Sequence, residues 1–194
     1  MHAIRTTRGF VIGSRPYGEA DKIVSVFTRD LGLVSAVAQG IRREGSKLRY
    51  HVQDLSLGDV SLVRGRELWR LTSARMAGSP LWSASPEARE AAARIAAIVQ
   101  RLVRGEAADP GLFDRVEAFA ERAAVPSLSP EELRALESLS VLRILAALGY
   151  IGDEPDVSPF VDGDRLDPET LSLAAERRLA INKHINKALK ESHL

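Results

Sequence analysis

Lys22–Thr28 (KIVSVFT), Arg29–Gly32 (RDLG) and Leu33–Ala38 (LVSAVA) decide the fold. Two short β-branched runs flank four residues that include a glycine, the length and composition of a hairpin loop. Outward from this hairpin the period stays close to two. Ala3–Ser14 reads as an opening strand. Val52–Val63 (VQDLSLGDVSLV) alternates apolar and polar residues, with Gly58-Asp59 as a turn, and Leu68–Thr72 (LWRLT) reads as a further strand. About five strands in under 80 residues predict a small closed barrel, because closure removes the edges a tiny sheet would expose.

Beyond residue 84 the period becomes helical. Ser85-Pro86-Glu87 opens a run with Ala91, Ala92, Ile95, Ile98, Val99, Leu102 and Val103, stopped by Gly105. Asp109-Pro110 opens a second, carrying Leu112, Phe113, Val116, Phe119 and Ala120. Ser129-Pro130-Glu131-Glu132 opens a third, with a leucine ladder from Leu133 to Leu148 and Gly149 as its stop. In each start, Ser or Asp can cap free backbone N–H groups while proline occupies a first-turn position that needs no donor. Ser129 with Glu132 also fits a capping box. Residues 153–168 (DEPDVSPFVDGDRLDP) are a turn-rich interruption in which Asp162-Gly163 could form a small hairpin. A last helix is expected from about Pro168 to Ser192. The fold class is therefore α+β in two domains: a five-stranded barrel over residues 1–78, and an all-α domain over 79–194 with a short insertion at 153–168.

Composition narrows the chemistry. The chain has no cysteine, which excludes disulfides, thiolate catalysis and cysteine-ligated metal clusters. Its four histidines, His2, His51, His184 and His193, are scattered. Their scatter along the sequence nominates no Ser-His-acid or His-carboxylate grouping, so no catalytic residues are named and no enzyme is expected. No apolar stretch reaches the roughly 18 to 20 residues that span a bilayer, and Arg5 and Arg8 interrupt any signal-peptide core. The net charge of +1 hides a division: residues 1–78 hold 13 Lys/Arg against 7 Asp/Glu, whereas 79–194 hold 14 against 19. Such asymmetry is a hint of a nucleic-acid surface on the basic half.

Two motif-like segments fail on detail. Gly40–Lys47 (GIRREGSK) resembles a phosphate loop, but Ser46 and Lys47 stand in reversed order and no apolar helix follows. Asp162, Asp164 and Asp167 resemble a calcium loop, but Leu166 falls at a ligand position and Gly163 comes too early. No metal or other cofactor is expected. What remains is Gln39–His51 (QGIRREGSKLRYH), where Arg42, Arg43, Lys47 and Arg49 crowd a predicted loop beside Tyr50. Cations track phosphates and aromatic faces stack unpaired bases, so these five residues are the first candidates for nucleic-acid contact. Arg64, Arg66 and Arg70 form a second basic group. Trp69, between them, is better suited to the core.

The segment Arg15-Pro16-Tyr17-Gly18-Glu19-Ala20-Asp21-Lys22-Ile23-Val24, with Phe27-Thr28, Gly32-Leu33 and Ala38-Gln39-Gly40-Ile41-Arg42-Arg43, resembles the opening of the RecO DNA repair family. Leu62–Leu68 (LVRGREL) is similar to its next block, and Leu142–Tyr150 (LRILAALGY) to its central-helix signature. The resemblance covers about residues 1–75 and 133–151, and the tail His184–Ser192 is only loosely similar. It implies an N-terminal OB-fold barrel and a helical domain. It implies binding of single- and double-stranded DNA, strand annealing, and work with RecR to load RecA onto strands covered by single-stranded DNA-binding protein. It further implies a cytoplasmic, nucleoid-associated protein whose helical domain docks the C-terminal tail of single-stranded DNA-binding protein. Arg134 and Arg143 are candidate rim cations for that groove.

Two departures stand out. Many members carry a four-cysteine zinc module after the central helix, which this chain lacks, and the chain is shorter there. Residues 153–168 are then expected to close by turn chemistry, with Phe160 and Leu166 as apolar contacts. Two alternatives use the same residues: an OB-fold RNA or tRNA binder, and a metal-dependent nuclease built on the acidic 153–169 segment.

Overall fold

A computed structural model of the chain describes residues 3–76, 80–163 and 165–191. The expected domain boundary at 78/79, Asp164 of the acidic segment, His2, and the residues from Ser192 onward lie outside them. The chain divides into two compact units, Met1–Trp82 with Val103–Phe113, and Ser83–Leu102 with Asp114–Leu194.

The first unit is a closed five-stranded barrel followed in sequence by helices, the OB arrangement. Strands β1 (Ile4–Tyr17), β2 (Asp21–Thr28), β3 (Gly32–Ala38), β4 (Leu57–Arg64) and β5 (Trp69–Arg75) close in the order β1-β2-β3-β5-β4. Every pairing is antiparallel except the short β3–β5 contact, where Ala36 faces Trp69 and Val37 faces Arg70. Alternation does what it predicts: Val24, Val26, Val34, Ala36, Val60, Leu62 and Leu71 are buried in one cluster. The opposite face of β2 is covered too. Phe27 lies 5.5 Å from Phe113, and the Leu33 N–H donates to the Gly105 carbonyl, so 103–113 runs along the β2–β3 turn.

Two strand expectations need correction. Gly58-Asp59 is not a turn: both residues lie inside β4, opposite Gly9 and Arg8 of β1. Glycine is needed at 58 because a Cβ there would collide with the Arg75 carbonyl and the Met76 backbone. Residues 52–56, expected as strand, form a loop in which Leu55 adopts φ 68°.

The second unit is helical. Helix α1 (Leu48–His51) belongs to the first unit. After it come α2 (Pro86–Leu102), α3 (Pro110–Ala123), α4 (Pro130–Ala147), α5 (Ser158–Val161), α6 (Pro168–Glu176) and α7 (Arg178–Glu191). All three Ser/Asp-Pro starts are present. The Ser85 and Asp109 side chains accept from the N–H groups of Ala88 and Leu112, and Ser129 with Glu132 makes the reciprocal capping box. Helix α4 is buried on nearly every side, from Leu133 to Leu145, and packs on α2, α5, α6 and α7.

The final helix is broken at Arg177. Leu171 and Ala174 before the break and Ile181, Ile185 and Ala188 after it are all buried. Their helical spacing runs through the break, so periodicity gives no sign of it.

The 153–168 segment closes by more than turn chemistry. Arg143 of α4 is 4% exposed, and its guanidinium donates to the carbonyls of Phe160 (2.8 Å) and Arg165 (3.0 Å). Arg122 Nε donates to the Leu166 carbonyl at 3.0 Å. Arg143 is therefore a buried clamp and not a surface rim cation, whereas Arg134 is exposed. Phe160 is buried as expected. Asp162 caps α5 instead of turning a hairpin, and Asp167 accepts from the Thr170 N–H as the cap of α6.

Candidate nucleic-acid interface

The basic loop is built to keep its cations outward. Gly40 and Gly45 take φ values of 62° and 82°, left-handed conformations that let the chain reverse tightly. Between them Ile41 is 2% exposed and joins the barrel cluster, as does Val52 after α1. With these apolar residues turned in, Arg42, Arg43, Lys47, Arg49 and Tyr50 are left exposed, Tyr50 at 69%.

The loop is pinned to the β1–β2 turn. The Gly40 N–H donates to Asp21 Oδ1 at 2.7 Å, the Arg42 N–H donates to the Ala20 carbonyl at 2.9 Å, and Arg42 Nη1 reaches the Gly18 carbonyl at 3.4 Å. Asp21 thus fixes the loop backbone. Internal turns follow, with Arg43 N–H to Gly40 O and Ser46 N–H to Arg43 O. A loop held this way presents its charges without first having to order its backbone, which lowers the entropic cost of binding.

Strand register locates the second basic group. Arg15 faces Ile23, Ile23 faces Val37, and Val37 faces Arg70, a single row across β1, β2, β3 and β5. Directly paired residues point to the same side of a sheet. Arg15 and Arg70, both exposed, therefore flank two apolar residues at a Cα separation of about 14 Å, three strand spacings. Arg66 sits in the exposed β4–β5 turn. Arg64 is exposed, pairs with Glu106, and its guanidinium lies 5.1 Å from the Trp69 ring centroid. Trp69 itself is 6% exposed and belongs to the barrel core. In OB-folds the face of the second and third strands and the β1–β2 and β4–β5 loops form the usual oligonucleotide surface. Arg66 lies in the second of these loops, and Arg15 of β1 and Arg70 of β5 flank the strand face.

A groove of about 540 Å³ opens beside the loop, lined by Ser14, Lys22, Ile41, Arg42, Arg49, Val52, Gln53 and Asp54. Lys22 Nζ donates to Ser14 Oγ at 3.4 Å. Sequence reasoning does not single out Arg15, Lys22 or Asp54 as site residues. The opening strand is expected to stop at Ser14. The strand instead continues to Tyr17 along β2 only, past the Phe10 end of the β4 pairing, where a residue without N–H is tolerated.

Among the described residues one group could approach a metal. Glu154, Asp156 and His184 bring ligand atoms within 4.8 Å of one another. They act here as ties between the 153–157 segment and α7: His184 Nε2 meets Asp156 at 2.9 Å and Lys187 meets Glu154 at 3.5 Å. The His184 contact holds the Asp156 carboxyl below its ordinary range. No described helix is long and apolar enough to cross a membrane.

Comparison with known proteins bears on the same barrel. The family model Recombination protein O N terminal matches residues 1–80. A DNA repair protein RecO of Rubrobacter xylanophilus is 44% identical over 72 residues, covering 37% of this chain and 29% of the relative. One from Alkaliphilus metalliredigens is 43% identical over 63 residues, covering 32% and 26%. A third, from Dehalococcoides mccartyi, is 30% identical over 145 residues, covering 74% of this chain and 56% of the relative. In each case the chain covers less than two thirds of the relative's own length.

Proposed function

This chain belongs to the RecO family of DNA repair proteins, and on that premise we propose that it is a DNA-binding recombination mediator without catalytic activity of its own. Residues 1–78 are the nucleic-acid-binding domain and 79–194 the helical domain. The protein binds single- and double-stranded DNA, promotes annealing, and with RecR helps load RecA onto strands covered by single-stranded DNA-binding protein. It acts in the cytoplasm at the nucleoid.

The observation that carries this reading is the pinned, outward-facing cluster Arg42, Arg43, Lys47, Arg49 and Tyr50 on the barrel, with the exposed Arg64, Arg66 and Arg70 as its extension. The mechanism is electrostatic. Cations in fixed positions replace the counterions around phosphates, so two strands can approach with less mutual repulsion, and release of those counterions favours binding. Tyr50 offers a ring face to an unpaired base. The helical domain provides the protein contacts, including the tail of single-stranded DNA-binding protein, with Arg134 as the remaining rim candidate.

Binding of labelled single-stranded and duplex DNA should be measured with RNA of the same sequence as competitor. Displacement by excess DNA but not by equal RNA is expected. Preferential displacement by RNA would favour an OB-fold RNA binder instead. Annealing of complementary strands should accelerate in the same protein concentration range that gives binding.

A further inference from the structure

The groove beside the basic loop contains one charge of the wrong sign for a phosphate site. Lys22, Arg42 and Arg49 line it together with Asp54, over a floor made by Ile41 and Val52. The Asp54 carboxylate is exposed and forms no ion pair within 4.0 Å among the described residues, so it is not there to neutralise Arg42 or Arg49. A carboxylate facing a phosphate costs affinity. Facing the edge of an unpaired base it accepts from an exocyclic amino group, as Asp and Glu do when they read cytosine N4, whereas thymine offers only its N3–H between two carbonyl oxygens that repel the carboxylate. The Gln53 side chain beside it is exposed as well and can donate or accept. At about 540 Å³ the groove lies within the size range of small-ligand sites, room for a nucleotide and not for a paired duplex.

We propose that this groove holds an unpaired nucleotide of the bound strand, with its phosphates on Lys22, Arg42 and Arg49 and its base edge on Asp54. The inference rests on the DNA-binding reading above and deepens it: the barrel prefers single strands whose bases carry an exocyclic amino group over thymine tracts. Duplex DNA, its base edges already paired, uses the exposed cations without the groove.

The test is fluorescence anisotropy with the full chain and three probes: a dC 20-mer, a dT 20-mer and a 20-base-pair duplex. The unaltered protein should bind the dC strand about fivefold more tightly than the dT strand, the lower end of what one base-edge contact contributes. Asp54→Ala should bring that ratio to about one while binding of dT and duplex stays constant or tightens, since a negative charge has gone. Asp54→Asn, which keeps a carbonyl acceptor, should retain part of the preference and guards against a folding effect. A ratio of one in the unaltered protein would overturn the proposal. So would an Asp54→Ala variant that tightens on all three probes equally and keeps its ratio. Failure of the DNA-binding reading itself would look different: replacing Arg42, Arg43, Lys47 and Arg49 together would leave affinity for all three probes intact.

Discussion

Arg143→Met is the sharpest test of how the helical unit holds its 153–168 segment. Arg143 is 4% exposed, with Nε donating to the Phe160 carbonyl and Nη1 to the Arg165 carbonyl. Methionine fills much of the same space without donors. Phe160 is 5% exposed, so its carbonyl is left without this donor in a dry setting, a loss of about 1–3 kcal/mol. Arg165 is exposed, so water replaces the donor to its carbonyl at little cost. Recovering the solvation cost of a buried cation works in the opposite direction. The net expectation is a destabilisation of about 2 kcal/mol, concentrated in 157–167. Urea unfolding followed by circular dichroism gives the magnitude, and amide exchange gives the location. An unchanged urea midpoint together with unchanged protection at 160–166 would refute the clamp.

Other perturbations follow from single interactions. Gly32→Ala combines a φ of 71° with a Cβ that would strike the Ala107 carbonyl, so a stability loss above about 1 kcal/mol is expected in thermal melts. Tyr50→Ala should weaken single-strand binding by about 1–3 kcal/mol and leave duplex binding nearly unchanged, because only unpaired bases can stack on the ring. A pH dependence comes from the helix starts. The Ser129 N–H holds the Glu132 carboxyl low, and the Thr170 N–H does the same for Asp167. Folded values below the unfolded 4.5 and 3.8 mean that this stabilisation is complete above the ordinary carboxylate range. It is lost as pH falls through and below that range, so an acid titration of helicity should show Glu132→Gln and Asp167→Ala with flatter acid limbs than the unaltered chain.

What the sequence made legible was whatever has a local physical cause. Alternation in 22–38 specifies the central hairpin, because buried Val24, Val26, Val34 and Ala36 must share one face. Each Ser/Asp-Pro start signals its helix because the cap is made within four residues. Gly58 misleads because its small size avoids a collision with residues 75 and 76 at the end of the neighbouring strand β5, invisible at the level of a turn motif. Arg143 misleads similarly. An arginine in a leucine ladder reads as surface charge until the carbonyls of 160 and 165 are placed against it. The basic loop is legible from residue type alone, whereas Arg15 joins Arg70 only through a register that crosses four strands.

The most direct measurement of the central claim is the salt dependence of DNA binding for the chain with Arg42, Arg43, Lys47 and Arg49 all replaced by alanine. All four side chains are exposed, so folding stability should barely change. Affinity should fall to a similar degree for every DNA sequence. The slope of log affinity against log salt should become shallower by up to about 0.7 to 0.9 for each phosphate that is no longer neutralised. A folded quadruple variant with the affinity and salt slope of the unaltered protein would contradict the claim, and would move the search to Arg15, Arg66 and Arg70 on the neighbouring sheet face.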